Sequence, residues 1–308
     1  MLDASPVGEP RILCGMQQVA TIIAPTVFAV VLGYLFGKVS KASVAPLVNI
    51  TMYIAAPCLV FESLYSNDFV MSGALRLWAA CLLIMVGTFA AAWVVFGLLW
   101  KDHKALYLPV VFQNTINLPL PVITLAFGGE GVAAMMVFYI PYALALNSLG
   151  VYMAAGKKGF RYGVRATFST PLIYATLLGL VLNVTGVGLP EVVTGPFRLV
   201  GTAAVPLGLL TLGMTIGGIR FTQIPATLVA SVIRVGGGFG LGLLAVWLLG
   251  LTGVPRAVVL LEAAMPSAVF AAVLATRYKN EEELVSSVVL TTTLMAVVVV
   301  PALIYYLT

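Results

Sequence analysis

Prolines and glycines recur at a nearly fixed distance along this chain of 308 residues. The matching landmarks lie 146 to 149 residues apart and are Pro25 with Pro171, Gly33 with Gly179, Pro57 with Pro206, and Pro119 with Pro266. A repeat of this length covers most of the chain and is typical of secondary transporters, which are built from two related halves. The sequence therefore predicts two homologous halves within one chain.

The apolar composition of the chain predicts a membrane protein. Hydrophobic residues make up 61% of the sequence and charged residues only 9%, whereas soluble domains carry about 25% charged residues. So few charges cannot cover a water-facing surface, and membrane lipid is the expected solvent. The net charge of +5 comes from basic residues in short loops between apolar runs. This pattern indicates membrane orientation and argues against nucleic-acid binding.

Ten segments have the length and composition of a transmembrane helix, which needs about 20 mostly apolar residues. Numbered as spans 1 to 10, they are residues 17–37, 43–65, 71–99, 106–127, 131–154, 168–186, 194–218, 222–250, 255–276 and 283–306. The predicted fold is an all-α membrane protein with two repeats of five helices, residues 1–154 and 168–308. Because five is an odd number, the second repeat must be inverted in the membrane.

Basic residues are distributed unequally between the two sides of the predicted bundle. Eleven lie in the loops after spans 1, 3, 5, 7 and 9, and four lie on the opposite side. The positive-inside rule assigns the more basic side to the cytoplasm. We therefore expect a multi-pass protein of the cell (inner) membrane, with both termini outside. The basic connector 155–167, which joins the two repeats, is expected in the cytoplasm.

Spans 4 and 9 are each interrupted by proline beside polar residues. The interruption in span 4 comprises Gln113, Asn114, Thr115, Asn117 and Pro119. The interruption in span 9 comprises Met265, Pro266 and Ser267. Proline breaks helical hydrogen bonding, and irregular backbone at membrane depth is tolerated only where it is buried or lines a cavity. Two broken helices at matching places predict a substrate site, whose half-helix N-termini favour an anion.

Two charged residues lie inside predicted spans. Glu262 precedes Pro266 by one turn, and Arg234 lies within span 8. A charge at membrane depth is a functional residue by default, so both are candidates for a coupling or ion site that uses a proton or sodium. The alternatives are a structural ion pair between them, a protonated structural group at Glu262, and an Arg234 side chain that extends to the membrane interface. Asn114 and Asn117 have a similar alternative, since amides also form hydrogen bonds between membrane helices.

Catalysis and metal binding have no support in the sequence. Its only histidine, His103, lies in a basic loop without neighbouring ligands, and its three cysteines lack the spacing of a metal site. We expect neither an enzyme nor a bound cofactor.

Three stretches of the chain resemble the auxin efflux carrier family, whose bacterial members are often described as malonate or organic-acid permeases. The stretches are residues 47–61, residues 113–121 leading to Phe127 and Gly128, and residues 265–270 followed by 275–278. The resemblance implies that spans 4 and 9 cross at the centre, with Asn114, Asn117, Pro119 and Pro266 at the crossover. It also implies a scaffold of spans 1, 2, 6 and 7 that often forms a homodimer, and a transport core of spans 3–5 and 8–10.

The sequence thus predicts a secondary transporter that moves a small organic anion, auxin-like or dicarboxylate-like, by alternating access at the crossover of spans 4 and 9. Two alternatives stay open. One is a sodium-coupled symporter similar to the bile acid family, and the other is a membrane receptor that transports nothing.

Overall fold

The computed structural model describes residues 11–40, 42–66, 72–155, 171–216 and 222–307. Within these ranges the chain is helical, and its only strand-like pairing is one isolated bridge. All but the first residue of the predicted connector 155–167 lies outside the described residues.

Fifteen α-helices occur in the described ranges. In the first half they are α1 Arg11–Ser40, α2 Ala45–Ile50, α3 Ala56–Ser66, α4 Ser72–Ala92, α5 Tyr107–Val111, α6 Pro119–Ala145 and α7 Val151–Ala155. In the second half they are α8 Pro171–Thr185, α9 Glu191–Gly201, α10 Ala204–Ile216, α11 Ile224–Val232, α12 Gly238–Leu249, α13 Gly253–Ala264, α14 Val269–Tyr278 and α15 Glu282–Leu307. Wider π-helical turns cover Thr51–Ala55, Trp93–Leu99, Leu146–Gly150 and Ile233–Gly237.

Six helical segments of the described chain are long and apolar enough to cross a membrane. They are Ala45–Ser66, Gly73–Leu99, Pro119–Ala154, Glu191–Met214, Ile224–Leu249 and Glu282–Leu307. Shorter apolar helical segments cover Val27–Ser40, Pro171–Thr185 and Val269–Tyr278. The protein is therefore a helical, multi-pass membrane protein, while the count of ten spans stays a prediction.

The helices of spans 2 and 7 are distorted close to their matching prolines, although each remains one helical segment. In span 2 a π-helical turn ends at Ala55, and Pro57 is the second residue of α3. In span 7 a turn at residues 202–203 separates α9 from α10, and Pro206 is the third residue of α10. Because proline has no N–H to donate, a regular helix cannot continue unchanged through these positions.

A break also lies at the expected junction of spans 4 and 5. Gly128 within α6 has φ 59° and ψ −150°, so the helix that starts at Pro119 is interrupted there. This region of conformational space is open to glycine and strained for other residues. Residues 119–127 therefore form a short half-helix of their own.

Two groups of helices position the candidate site. The buried core is built around α4, α6, α12 and α13, which pack against one another. Beside these helices, α1 packs along α10 and α3 packs along α8. These two pairs join spans 1, 2, 6 and 7, the spans that the family resemblance assigns to a scaffold.

Candidate functional site

The interruptions of spans 4 and 9 lie side by side. The first separates α5 from α6 and the second separates α13 from α14. Gln113 and Ser267 face each other in an antiparallel bridge. The Asn114 N–H donates to the Pro266 carbonyl at 2.7 Å, and the Ala268 N–H donates to the carbonyl of residue 112 at 2.8 Å. This is the non-hydrogen-bonded type of antiparallel pair, which brings the two facing side chains close together.

The matching prolines occupy different places in the two interruptions. Pro119 is the first residue of α6, whereas Pro266 lies in the extended segment before α14. The first interruption has seven residues, 112–118, and the second has four, 265–268. Ser267 therefore faces Gln113, 154 residues earlier, although the prolines are only 147 residues apart. Both predicted interruptions are present, but they differ in length, so the two prolines that match in sequence lie at different positions within them.

The C-terminal end of α5 is capped by groups from distant parts of the chain. The last carbonyl groups of a helix lack partners within the helix. Here the Ser267 hydroxyl donates to the Pro109 carbonyl at 2.7 Å. The Arg234 guanidinium donates through Nη1 to the carbonyls of Val110 at 3.0 Å and Val111 at 3.3 Å. These bonds fix the end of α5 without exposing its backbone.

The same guanidinium also binds the end of α13. Nη2 of Arg234 donates to the Ala263 carbonyl at 2.8 Å, and the whole arginine side chain is buried. Gly238 leaves the space for this contact, since a Cβ atom there would lie 2.2 Å from Nη2. Arg234 forms no ion pair with Glu262 within the described residues, although the two are close enough to interact electrostatically. The expected alternative of a direct ion pair is therefore wrong.

The two asparagines of the span 4 interruption contact each other locally. Asn114 Oδ1 accepts a hydrogen bond from the Asn117 N–H at 3.0 Å, so the side chain of Asn114 shapes its own segment. The Thr115 hydroxyl has no hydrogen-bond partner within the described chain. The Tyr142 hydroxyl, from α6, donates to the Gln113 carbonyl. The backbone of this interruption is thus held in place, while polar side-chain groups remain available.

Two buried polar side chains have no hydrogen-bond partner in the described part of the chain. Both polar atoms of the Gln113 amide and both carboxyl oxygens of Glu262 are unpartnered, and both residues are fully buried. Leaving such a group unsatisfied costs about 1–3 kcal/mol. Buried polar groups in native proteins nearly always have a partner, so these two are the best candidates for binding a ligand or an ion.

Glu262 lies in the helical core and not in the interruption itself. It is the third-last residue of α13, which packs against α4, α6 and α12. Its carboxyl group is close enough to the Cys81 thiol on α4 and to the Tyr142 hydroxyl on α6 for electrostatic interaction. Glu262 and the polar residues of the interruption therefore lie on neighbouring but different elements.

Helix α10 borders the interruption from the side of the expected scaffold. A Cβ atom on Gly208 would lie 3.5 Å from both the Asn117 carbonyl oxygen and Pro121 Cγ. This is ordinary van der Waals distance, so the glycine brings the backbone of α10 next to the polar segment.

Two residues that support this site, Gly238 and Tyr142, have little or no signal in the sequence. Gly238 belongs to a glycine-rich run that indicates close helix packing, and its spacing of four residues from Arg234 is the signal for its specific role. Tyr142 has no comparable signal, because its partner, the Gln113 carbonyl, is 29 residues away. No group of three or more metal-ligating side chains occurs among the described residues.

Comparison with known proteins identifies the family. A family model described as "Membrane transport protein", which covers the auxin efflux carriers, matches the chain twice, at residues 18–162 and 161–304. Two consecutive matches to one model fit an internal repeat. The chain is 31% identical over 275 residues to an uncharacterized transporter of Methanothermobacter thermautotrophicus, covering 84% of this chain and 88% of that protein. It is 25% identical over 286 residues to an uncharacterized transporter of Methanocaldococcus jannaschii, covering 84% and 89%. The expected resemblance is confirmed, and the chain belongs to the auxin efflux carrier family of membrane transport proteins.

Proposed function

We propose that this membrane transporter is a secondary carrier of a small organic anion, which passes the paired interruptions of spans 4 and 9 by alternating access. The observation that carries the proposal is the antiparallel contact of Gln113 with Ser267. Two helices lose regular structure at one place, next to a buried amide without a partner. Interrupted helices of this kind form the substrate sites of many secondary transporters.

The electrostatics of the interruptions favour an anion. A helix N-terminus carries partial positive charge, equivalent to about +0.5 for a full helix, and a C-terminus the corresponding negative charge. The helices that start after the interruptions are α6 and α14, and those that end before them are α5 and α13. Arg234 binds both of the negative ends. The positive ends of α6 and α14 are left to act on a substrate.

The polar groups available to that substrate differ between the two positive ends. Pro119 and Pro121 remove two N–H donors from the first turn of α6. On that side the amides of Gln113, Asn114 and Asn117 would provide the donors instead. The first turn of α14 contains no proline and keeps its N–H groups. Amide and N–H donors without a second arginine suit a small carboxylate, auxin-like or dicarboxylate-like.

We further propose ten spans in two inverted repeats, with a core of spans 3–5 and 8–10 that moves against a scaffold of spans 1, 2, 6 and 7. The contact of Gly208 with the interruption supports this division, because it brings scaffold backbone next to the candidate site. A small residue at such a boundary leaves room for sliding.

Glu262 is the proposed coupling residue. Its carboxyl group is buried without a hydrogen-bond donor, and an ionised carboxylate in that position is costly. Holding a proton is therefore the cheaper state of this group in the present conformation, and we propose the proton as the coupling ion. A sodium-coupled symporter is the second candidate, because the same unpartnered oxygens could bind a cation.

Counterflow in liposomes tests the proposed function. The full chain is reconstituted into vesicles loaded with an unlabelled anion, and uptake of labelled monocarboxylates, dicarboxylates and their neutral amides is measured. We expect at least one carboxylate class to exchange and the neutral amides not to. Absence of exchange for every carboxylate, with folded protein in the vesicles, would refute the proposal.

A matched pair of variants locates the site in the same assay. Asn117→Ala should weaken exchange, because a lost hydrogen bond to the substrate costs on the order of 1–3 kcal/mol. Thr185→Ala is the control, since the exposed Thr185 hydroxyl bonds only to carbonyls of its own helix, including that of Val181 at 2.8 Å. Equal exchange by the two variants would move the substrate site away from the interruption.

A further inference from the structure

Arg234 is the largest fully buried side chain of the described residues. Burying a charge is costly unless a charge of opposite sign or several hydrogen bonds offset it. No carboxylate of the described chain lies within ion-pairing distance of Arg234. The guanidinium instead makes three hydrogen bonds to backbone carbonyls. The hydrogen bonds that offset its positive charge within the described residues therefore all come from the backbone.

The three carbonyls belong to the C-terminal ends of two different half-helices. Val110 and Val111 are the last two residues of α5, and Ala263 is the second-last residue of α13. Unpaired carbonyls at a helix C-terminus attract cations, and their partial charges amount to about −0.5 per full helix. One guanidinium thus binds the C-terminal carbonyls of two half-helices, whose partial negative charges are opposite in sign to its own charge.

Only the second half of the chain supplies this cation. Gly87-Thr-Phe89 in the first half matches Gly237-Gly-Phe239 in the second half at an offset of 150 residues, and the same offset relates Arg234 to Ile84. Ile84 is a buried aliphatic residue of the core. Because the ends of α5 and α13 lie close together, one arginine is sufficient for both, and the other half needs no counterpart.

We propose that Arg234 is a positioning residue for the transported anion. It joins the ends of α5 and α13 and cancels their negative charge, so that only the positive ends of α6 and α14 act on the substrate. This inference rests on the proposed function, because it assumes that the substrate is an organic anion.

Gly238 allows the inference to be tested without changing the arginine. A Cβ atom at this position would lie 2.2 Å from Arg234 Nη2 and 2.4 Å from the Ala263 carbonyl oxygen, so Gly238→Ala must disrupt the contact of Arg234 with α13, either by displacing the guanidinium or by moving α12 away from α13. Gly240 lies on the same helix, and a Cβ atom there would meet nothing within 4 Å. Gly240→Ala is therefore a matched control.

Kinetic measurements on the reconstituted full chain test the electrostatic part. In Arg234→Met and Gly238→Ala we expect the KM for the transported anion to rise on the order of tenfold, as for a lost charged hydrogen bond. The rise should be larger for a doubly charged substrate than for a singly charged one. Arg234→Lys should recover part of the affinity, and Gly240→Ala should leave KM unchanged. If Vmax falls while the KM values for the singly and the doubly charged substrate both stay at those of the wild type, the role of Arg234 is merely structural and the proposal is overturned.

Amide hydrogen exchange on the full chain in detergent tests the structural part without any substrate. The N–H groups of Asn114 and Ala268 pair the two interruptions, and their exchange should accelerate in Gly238→Ala and Arg234→Met but not in Gly240→Ala. Unchanged exchange in Gly238→Ala would overturn the claim that Arg234 holds the interruptions together, even if Arg234→Met fails to fold. If the wild-type protein moves no organic anion, the proposed function fails, while the exchange result still decides whether Arg234 joins the two helix ends.

Discussion

Gly33 and Leu210 meet through their backbones, since a Cβ atom added to Gly33 would lie 2.2 Å from the Leu210 carbonyl oxygen. The same kind of contact occurs 146 residues later, where a Cβ atom on Gly179 would lie 3.0 Å from the Phe61 carbonyl oxygen. Phe61 and Leu210 are 149 residues apart, the same spacing as Pro57 and Pro206. Each half thus supplies the glycine for one contact and the carbonyl for the other, which is the relation expected of a two-fold internal repeat.

Gly33→Ala should destabilise the protein. The added methyl group collides with backbone, so α1 and α10 must separate, and overpacking of this kind typically costs about 1–3 kcal/mol. Gly179→Ala should cost less, because its nearest neighbours lie at 3.0 Å. The measurement is thermal unfolding of the full chain in detergent.

Gly73→Ala is the control for this comparison. A Cβ atom at Gly73 would meet nothing within 4 Å, and alanine is the better helix former by about 1 kcal/mol. Its Tm should equal or exceed that of the wild type. A Gly33→Ala protein as stable as Gly73→Ala would contradict the backbone contact of α1 with α10.

The interruptions in spans 4 and 9 could be predicted because proline acts locally. Each proline lacks an N–H donor, so a polar segment next to Pro119 or Pro266 can be recognised without knowledge of its neighbours. The register of the two segments could not be predicted in this way. The pairing of Gln113 with Ser267 depends on the number of residues in each interruption, which the spacing of the prolines does not give.

The role of Arg234 could not be predicted from the sequence either. Its charge at membrane depth marked it as important, and Glu262 was the obvious partner in the neighbouring span. The actual acceptors are the backbone carbonyls of Val111, Val110 and Ala263. They lie 123, 124 and 29 residues from Arg234 along the chain. Every residue has such a carbonyl, so no residue type indicates which ones remain free at the end of a broken helix.

Ser267 and Gln113 face each other but should behave differently when replaced. Ser267→Ala removes the donor to the Pro109 carbonyl, and a buried carbonyl without a partner costs about 1–3 kcal/mol of stability. The Gln113 side chain makes no hydrogen bond within the described residues. The free energy of unfolding of the Gln113→Leu variant should therefore be unchanged or higher. Its KM for the anion should rise if the amide binds substrate.

The two variants serve as controls for each other when Tm and KM are measured on the same preparations. A loss of stability in Gln113→Leu as large as in Ser267→Ala would show that the amide has a structural partner. An unchanged KM in Gln113→Leu would remove this side chain from the substrate site.

Membrane orientation can be tested at described residues, although the most basic predicted loop lies outside them. Lys101 follows span 3 and is expected in the cytoplasm, while Val187 follows span 6 and is expected outside; both are exposed. In a chain whose three cysteines are replaced by alanine, an impermeant thiol reagent added to intact cells should label Val187→Cys and not Lys101→Cys. The opposite labelling would reverse the predicted orientation, and labelling of both would contradict the placement of spans between them.

Glu262→Gln separates a coupling role from a structural one. Because the carboxyl group of Glu262 makes no hydrogen bond or ion pair within the described residues, a glutamine of the same size should leave stability nearly unchanged. Neutralising Arg234 as well should rescue nothing, since the guanidinium binds backbone carbonyls instead. Glu130→Gln applies the same chemical change to an exposed carboxylate of α6 and is the matched control.

If Glu262 carries the coupling proton, the Gln variant mimics its protonated form and cannot release the proton. We then expect exchange of the anion across the vesicle membrane to continue, while accumulation driven by a pH gradient is lost, because only the gradient-driven cycle requires the site to change its protonation state. Glu130→Gln should retain both activities. Two results together would identify sodium as the ion at this carboxylate. Accumulation by the wild type would follow a sodium gradient and not a pH gradient, and Glu262→Gln would abolish it. Full accumulation by Glu262→Gln in a pH gradient would exclude Glu262 from proton coupling, since an amide neither gains nor loses a proton in this range of pH.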